Sequence, residues 1–186
     1  MHARHLLLNR SSMPMLVSPG PTPADLELFH AAALRVPDHK SLVPYRLITF
    51  QGDELKLLGD IYYEAALEEE YGDQAINRAK ELPLRAPMII TVVTNYQDDQ
   101  GIPRAEQFAT AACAAHSIVQ AAFVQGYGAI WRTGPYAESD TVKKRLGIDG
   151  EDIVGFVYLG TPKVDIPIKP SKPQSVMVSA TDFLQV

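Results

Sequence analysis

The sequence predicts an α+β fold in which helices flank a central sheet. Short strand-like runs alternate with longer helical segments along all 186 residues. One of those runs, "MIITVVTNY" at 88–96, is almost continuously apolar at its start, which suits a strand buried in the middle of a sheet. The segment 104–125 reads as a helix of about 33 Å, long enough to cross a whole sheet face. A composition of 46% apolar and 21% charged residues is that of a globular chain. At this length roughly two-thirds of the unfolded surface can be buried in a single domain, 1–186.

The elements follow in order. A short helix is expected over 3–10, ending where Arg10, Ser11, Ser12 and Pro14 open a loop. Thr22, Pro23 and Asp25 read as an N-cap, a proline at the first helical position and a partner for a capping box. Leu26, Phe29 and Ala33 then keep helical spacing until Pro37. "YRLITF" (45–50) is a strand, and Leu55, Leu58, Tyr62 and Ala65 mark a helix over 54–71 whose closing glutamates 68–70 read as a solvated face. Gly72 and Asp73 restart a helix through Ala79, and Pro87 leads into the apolar strand. Pro103 opens the long helix and Gly126 closes it. "YGAIWR" (127–132) is a strand, 139–146 a short helix, and "DIVGFVYLG" (152–160) the last core strand. Beyond Pro162, "PIKPSKP" is a stiff connector, and "SVMVSATDFLQV" is apolar enough to dock on another surface. The stretch 162–186 therefore reads as an arm, and a second copy of the chain is its expected seat.

A net charge of −5 leaves no basic footprint for nucleic acid or an anionic membrane. Cys113 is the sole cysteine, so no intrachain disulfide can form, and a reducing, cytoplasmic setting is expected. The three leucines near the N-terminus are too few for a signal-peptide core. "GYGAIW" at 126–131 lacks the last glycine of a dinucleotide fingerprint and sits between helix and strand, the reverse of the required order. No GxSxG elbow or phosphate-loop lysine motif occurs. His2, His5, His30, His39 and His116 show no zinc spacing, so no metal site is expected. Cys113, in an alanine-rich helix, reads as a small core residue rather than a nucleophile.

What remains is polar clusters in loops. "NRSS" (9–12) sets a guanidinium beside two hydroxyls, a combination suited to a phosphate. "WRTG" (131–134) repeats that combination at the end of a strand, and "RVPDHKSLVPYRL" (35–47) concentrates Asp38, His39, Lys40 and Ser41 between two prolines, with Arg35 just ahead of the first. Taken together and in order, these pieces resemble the FMN-dependent nitroreductase family, closest to its short bacterial NAD(P)H nitroreductases. "LLLNRSS" resembles the family's phosphate motif, "RVPDHKSLVPYRL" its proline-aspartate-histidine-lysine-serine loop, and "APMIITVV" its central strand. "QAAFVQGYGAIWRTG" resembles its late helix and strand, and "VGFVYLGTP" its last core strand.

The resemblance implies a nitroreductase-like fold with a mostly antiparallel sheet and a C-terminal arm exchanged in a homodimer, with FMN at the interface. By resemblance Arg10, Ser11, Ser12, Arg35, His39, Trp131, Arg132 and Thr133 contact the flavin, with Arg10 and Arg132 at its phosphate. Arg35 and His39 would serve the site of the other subunit, and Lys40 and Ser41 would support its neighbourhood. Ala121, Ala122, Phe123, Val124, Gln125 and Gly126 match a segment associated with nicotinamide binding. Two positions depart from the family's pattern: Ser11 stands where many members carry a second arginine, and Val36 where alanine is usual. The implied activity is ping-pong hydride transfer from NADH or NADPH through FMN to an electron-poor acceptor such as a nitroaromatic or quinone. No side chain is assigned as catalytic, because the reactive centre is the flavin itself. Quinone or enone reduction, reductive dehalogenation, or a non-catalytic flavin-binding module are the alternatives on the same scaffold.

Overall fold

The computed structural model describes residues 2–98, 101–165 and 176–184. Its elements are α1 (Ala3–Asn9), β1 (Leu16–Val17), α2 (Pro23–Ala33), β2 (Tyr45–Gln51), α3 (Asp53–Glu68), α4 (Asp73–Ala79) and β3 (Met88–Thr94). Then come α5 (Arg104–Val124), β4 (Gly128–Arg132), α6 (Pro135–Glu138), α7 (Asp140–Arg145), β5 (Ile153–Pro162) and α8 (Ala180–Leu184). The fold is α+β, as expected, and every strand pair is antiparallel. β5 lies at the centre, bonded to β3 and β4 along its length and to β1 at its end, and β2 forms the outer edge beyond β3.

Alternation along the strands builds two cores. Met88, Ile90 and Val92 of β3 face α2 and α5, where Phe29, Ala33, Ala111, Ala114, Ala115, Ile118 and Ala122 are buried. Ile89 and Val93 face the other way, against Leu58, Ile61, Tyr62 and Ala65 of α3 and Val142 of α7. α5 is therefore sandwiched between α2 and the sheet, and its alanines are what permit the close approach. Among the described residues it is the one helix long and apolar enough to cross a membrane, but 56% of its most apolar window is buried in this fold. That burial is the mark of a core helix. On the opposite face Gly59 lets α3 approach the end of α4, since a Cβ there would stand 2.5 Å from the Lys80 carbonyl oxygen.

The capping box at Thr22 is complete: Asp25 N donates to Thr22 Oγ1 at 3.3 Å and Thr22 N to Asp25 Oδ2 at 2.8 Å. α2 nevertheless stops at Ala33, short of Pro37. The Ser117 hydroxyl donates to the Ala32 carbonyl and the Tyr45 hydroxyl to that of Ala33, each at 2.8 Å, so its last carbonyls find partners without another turn. The helix expected at 139–146 is α7, capped by Ser139 through Val142 N, and the additional turn α6 precedes it. The glutamates closing α3 are more than a solvated face. Glu69 accepts from Tyr71 Oη (2.6 Å), Ser139 Oγ (2.6 Å) and Thr141 N (3.0 Å), and Glu68 from Thr141 Oγ1 (2.8 Å). Together they tie α3 to α7.

Of the expected arm, residues 166–175 and 185–186 lie outside the described residues. Val176, Met177 and Val178 are exposed, as are Phe183 and Leu184 of α8.

Candidate functional site

The first cluster, Arg10–Ser12, follows α1, which packs on α5 with the His5 ring stacked 5.9 Å from Phe123. The chain then meets β4, where Met13 N donates to Ala129 O at 3.0 Å. Arg10 is half-buried and its charge reaches His116 of α5, whose imidazole is held below its ordinary pKa by burial first and by Arg10 second. Ser11 is buried, and its Oγ has no hydrogen-bond partner. Such a hydroxyl costs about 1–3 kcal/mol unless something supplies the missing bond. Ser12 is exposed.

The second cluster closes β4. Between β3 and β5 the register slips after Val92, which leaves Val154 as the extra residue of a bulge. Trp131 lies across this bulge, its indole N–H donating to Val154 O at 3.2 Å, its ring half-buried on the α5 face. Gly155 is required underneath. Its φ is +152°, and a Cβ there would stand 2.2 Å from Trp131 Nε1 and 2.7 Å from the Arg132 carbonyl oxygen.

Arg132, one residue on, points to the opposite face. It pairs with Phe156 across β5, its guanidinium lies 5.5 Å from the centre of the Tyr158 ring, and it lines a cavity of about 410 Å3 on the α3 side. Arg10 and Arg132 thus occupy different faces of the sheet, and their side chains do not meet. One chain therefore does not bring the two guanidiniums expected at the phosphate together, because strand alternation turns Arg132 away from its neighbour Trp131. Thr133 is exposed at the strand end.

The third cluster is the loop entering β2. Arg35 is exposed just beyond α2, where a cation is favoured by the helix dipole. Asp38 then shapes the loop: its Oδ1 accepts from Leu42 N (3.2 Å) and its Oδ2 from Val43 N (2.8 Å). Within that clasp Lys40, Ser41 and Val43 adopt φ of 59°, 55° and 47°, a region that residues with a Cβ rarely enter. His39 Nδ1 stands 2.7 Å from Glu106 Oε1 in the first turn of α5, and Thr110 Oγ1 donates to Pro37 O at 3.1 Å. Asp38, Glu106 and Thr110 hold this loop through contacts that the sequence left unread. Asp38 stood in view beside His39, but its bonds run four and five residues ahead, and Glu106 lies 67 residues from its partner.

β2 and β4 are separated by β3 and β5, three strand spacings or about 14 Å. One chain therefore carries Arg35 and His39 near one edge of the sheet and the first two clusters near the other. Of the segment 121–126, Ala121, Ala122 and Phe123 are buried in the core, and only Val124, Gln125 and Gly126 reach the surface. No group of three or more His, Cys, Asp or Glu side chains among the described residues could hold a metal.

The profile of the "Nitroreductase family" matches residues 16–161, from β1 to the end of β5. The chain belongs to the nitroreductase family. It is 39% identical over 165 residues to "Putative NAD(P)H nitroreductase YdjA" of Escherichia coli K12, covering 88% of this chain and 90% of that protein. In three dimensions it is similar to a nitroreductase-like family protein of Bacillus cereus, with a TM-score of 0.76 at 21% identity over 100% of this chain and 96% of the other. It also resembles a "putative nitroreductase in complex with FMN" from Desulfovibrio desulfuricans, with a TM-score of 0.69 at 16% identity over 93% and 91%. Membership makes this nitroreductase chain one of a family of oxidoreductases.

Proposed function

We propose that this nitroreductase is an FMN-dependent NAD(P)H oxidoreductase, a single flavin-binding domain that works as a homodimer with the flavin between subunits. The observation that carries the reading is the buried, unpartnered Ser11 hydroxyl directly beside Arg10, a site that a phosphate would complete. Arg10 supplies the charge, and Ser11 and Ser12 supply hydroxyl donors. Trp131 presents a ring fixed by the Val154 carbonyl, Thr133 a hydroxyl, and Arg132 contributes through its main chain. Such fixed groups orient a cofactor without reorganisation.

Arg35 and His39 serve the flavin of a second copy. The 14 Å between sheet edges supports this, as does the loop itself, since three left-handed residues clasped by one carboxylate are strain of the kind kept at functional sites. The exposed apolar side chains of 176–184 supply a surface for the partner to cover. Surface access narrows the nicotinamide segment to Val124, Gln125 and Gly126. When bound, FMN supplies two-electron transfer between NAD(P)H and an electron-poor acceptor such as a nitroaromatic or quinone.

The test is a visible spectrum under anaerobic NADPH or NADH, with sedimentation alongside. The expected result is a dimer with one flavin per chain that bleaches and recovers its colour on addition of a quinone. Flavin bands that persist under both reductants indicate a binding module, and a colourless monomer that takes up no FMN refutes the reading.

A further inference from the structure

The cavity on the α3 side of the sheet shares only Arg132 and Thr133 with the flavin contacts above. It is bounded by β4, β5, α3, α4 and α6 and encloses about 410 Å3, within the range of small-molecule sites. Three guanidiniums converge on it, from Arg78 of α4, Arg85 in the turn before β3, and Arg132. No carboxylate lines the cavity, and none of the three arginines has a carboxylate within ion-pair distance among the described residues. Arg78 and Arg85 are exposed, whereas Arg132 is half-buried.

The walls are aromatic. Tyr62 stacks on Tyr136 with ring centres 4.2 Å apart, and Tyr62 packs edge-on against Phe156 at 5.4 Å. Three buried polar atoms of this lining have no hydrogen-bond partner: Arg132 Nε, Tyr136 Oη and Tyr62 Oη. Tyr62 is 1% exposed. Burial first, and the neighbouring Tyr158 hydroxyl second, keep the Tyr62 hydroxyl protonated, so the spare donors that count toward a ligand are Arg132 Nε and Tyr136 Oη. Buried polar atoms are rarely left unpaired, and here all of the unpaired ones that border the cavity are potential donors. A site with excess positive charge, spare donors and aromatic walls is complementary to one chemistry.

We infer that this cavity binds a small aromatic carboxylate, its ring against the tyrosines and its carboxylate on the arginines. A guanidinium fork matches a carboxylate with two parallel bonds. The aromatic walls favour a ring-bearing ligand over a bare inorganic anion. The assignment can be tested apart from the flavin reading, because Arg78 and Arg85 are not among the proposed flavin contacts, whereas Arg132 and Thr133 border both sites.

The experiment is calorimetric titration of the purified protein with 2-naphthoate, its neutral analogue 2-naphthamide, and inorganic phosphate. Saturable 2-naphthoate binding is expected, with 2-naphthamide at least about tenfold weaker, as the loss of a charged hydrogen bond implies. Arg78→Gln combined with Arg85→Gln should weaken 2-naphthoate by a similar factor while leaving the visible flavin spectrum unchanged. Arg85→Lys, which keeps the charge but not the fork, should fall between. Equal binding of acid and amide, an unaffected double variant, or preference for inorganic phosphate would overturn the proposal. Loss of flavin from the double variant would also overturn it, because the cavity would then belong to the cofactor.

Discussion

The two faces of the sheet are packed by different means. On the α5 face the neighbours are mostly alanines, and the polar groups find partners across the chain. Ser117 caps Ala32, Tyr45 caps Ala33, and Thr110 holds Pro37. On the α3 face large rings fill the space, and hydroxyls and a guanidinium are left over. Of five buried side-chain atoms without partners among the described residues, Tyr62, Thr91, Arg132 and Tyr136 belong to this second face. The fifth, Ser11, stands at the proposed phosphate. A face that satisfies itself is built for stability, and unsatisfied atoms mark where something else binds.

The sharpest way to break this contrast is at the bulge over which Trp131 lies. Gly155→Ala should cost about 3 kcal/mol or more, because its Cβ meets the indole and a backbone oxygen in a left-handed conformation. A denaturant melt within 1 kcal/mol of the unmodified protein would show that Trp131 is not fixed there. Next is the loop on the α5 face. Asp38→Ala should destabilise by about 1–2 kcal/mol, since two amides lose a carboxylate and three strained residues are released. Hydrogen exchange at Leu42 and Val43 should then rise, and unchanged protection would refute the clasp.

The smallest effect is expected at the tie between α3 and α7. Glu69→Gln should cost about 1 kcal/mol. Burial opposes ionisation of Glu69, but the donors Ser139, Tyr71 and Thr141 outweigh it and hold the carboxyl below its ordinary pKa. Its folded value thus lies below its unfolded one, so its contribution is complete above the ordinary carboxylate range and is lost as pH falls through the folded value. Acid melts of the unmodified protein should lose more stability across that window than those of Glu69→Gln. The partner Tyr71 is pushed up to about 12, by burial first and Glu69 second, and stays protonated throughout.

The sequence made most of the frame legible because its signals are local. The continuous apolar run of β3 placed it mid-sheet, Thr22 and Asp25 announced α2, and Pro103 with Gly126 bracketed α5. The boundaries it missed depend on distant groups, as where Tyr45 and Ser117 end α2. The site was legible as three clusters but not in its geometry. "WRTG" reads as one motif, yet a period of two assigns its first pair to different sides of the sheet. Arg78 and Arg85 belong to no motif in the sequence, because only folding brings them to Arg132.

The most direct test compares FMN affinity in Arg10→Ala and Arg132→Ala. With the phosphate on the α5 face, Arg10→Ala should weaken FMN by about a hundredfold, and Arg132→Ala should stay within a few-fold of the unmodified protein. Equal loss in both would place the two guanidiniums on one phosphate and contradict the division between the faces.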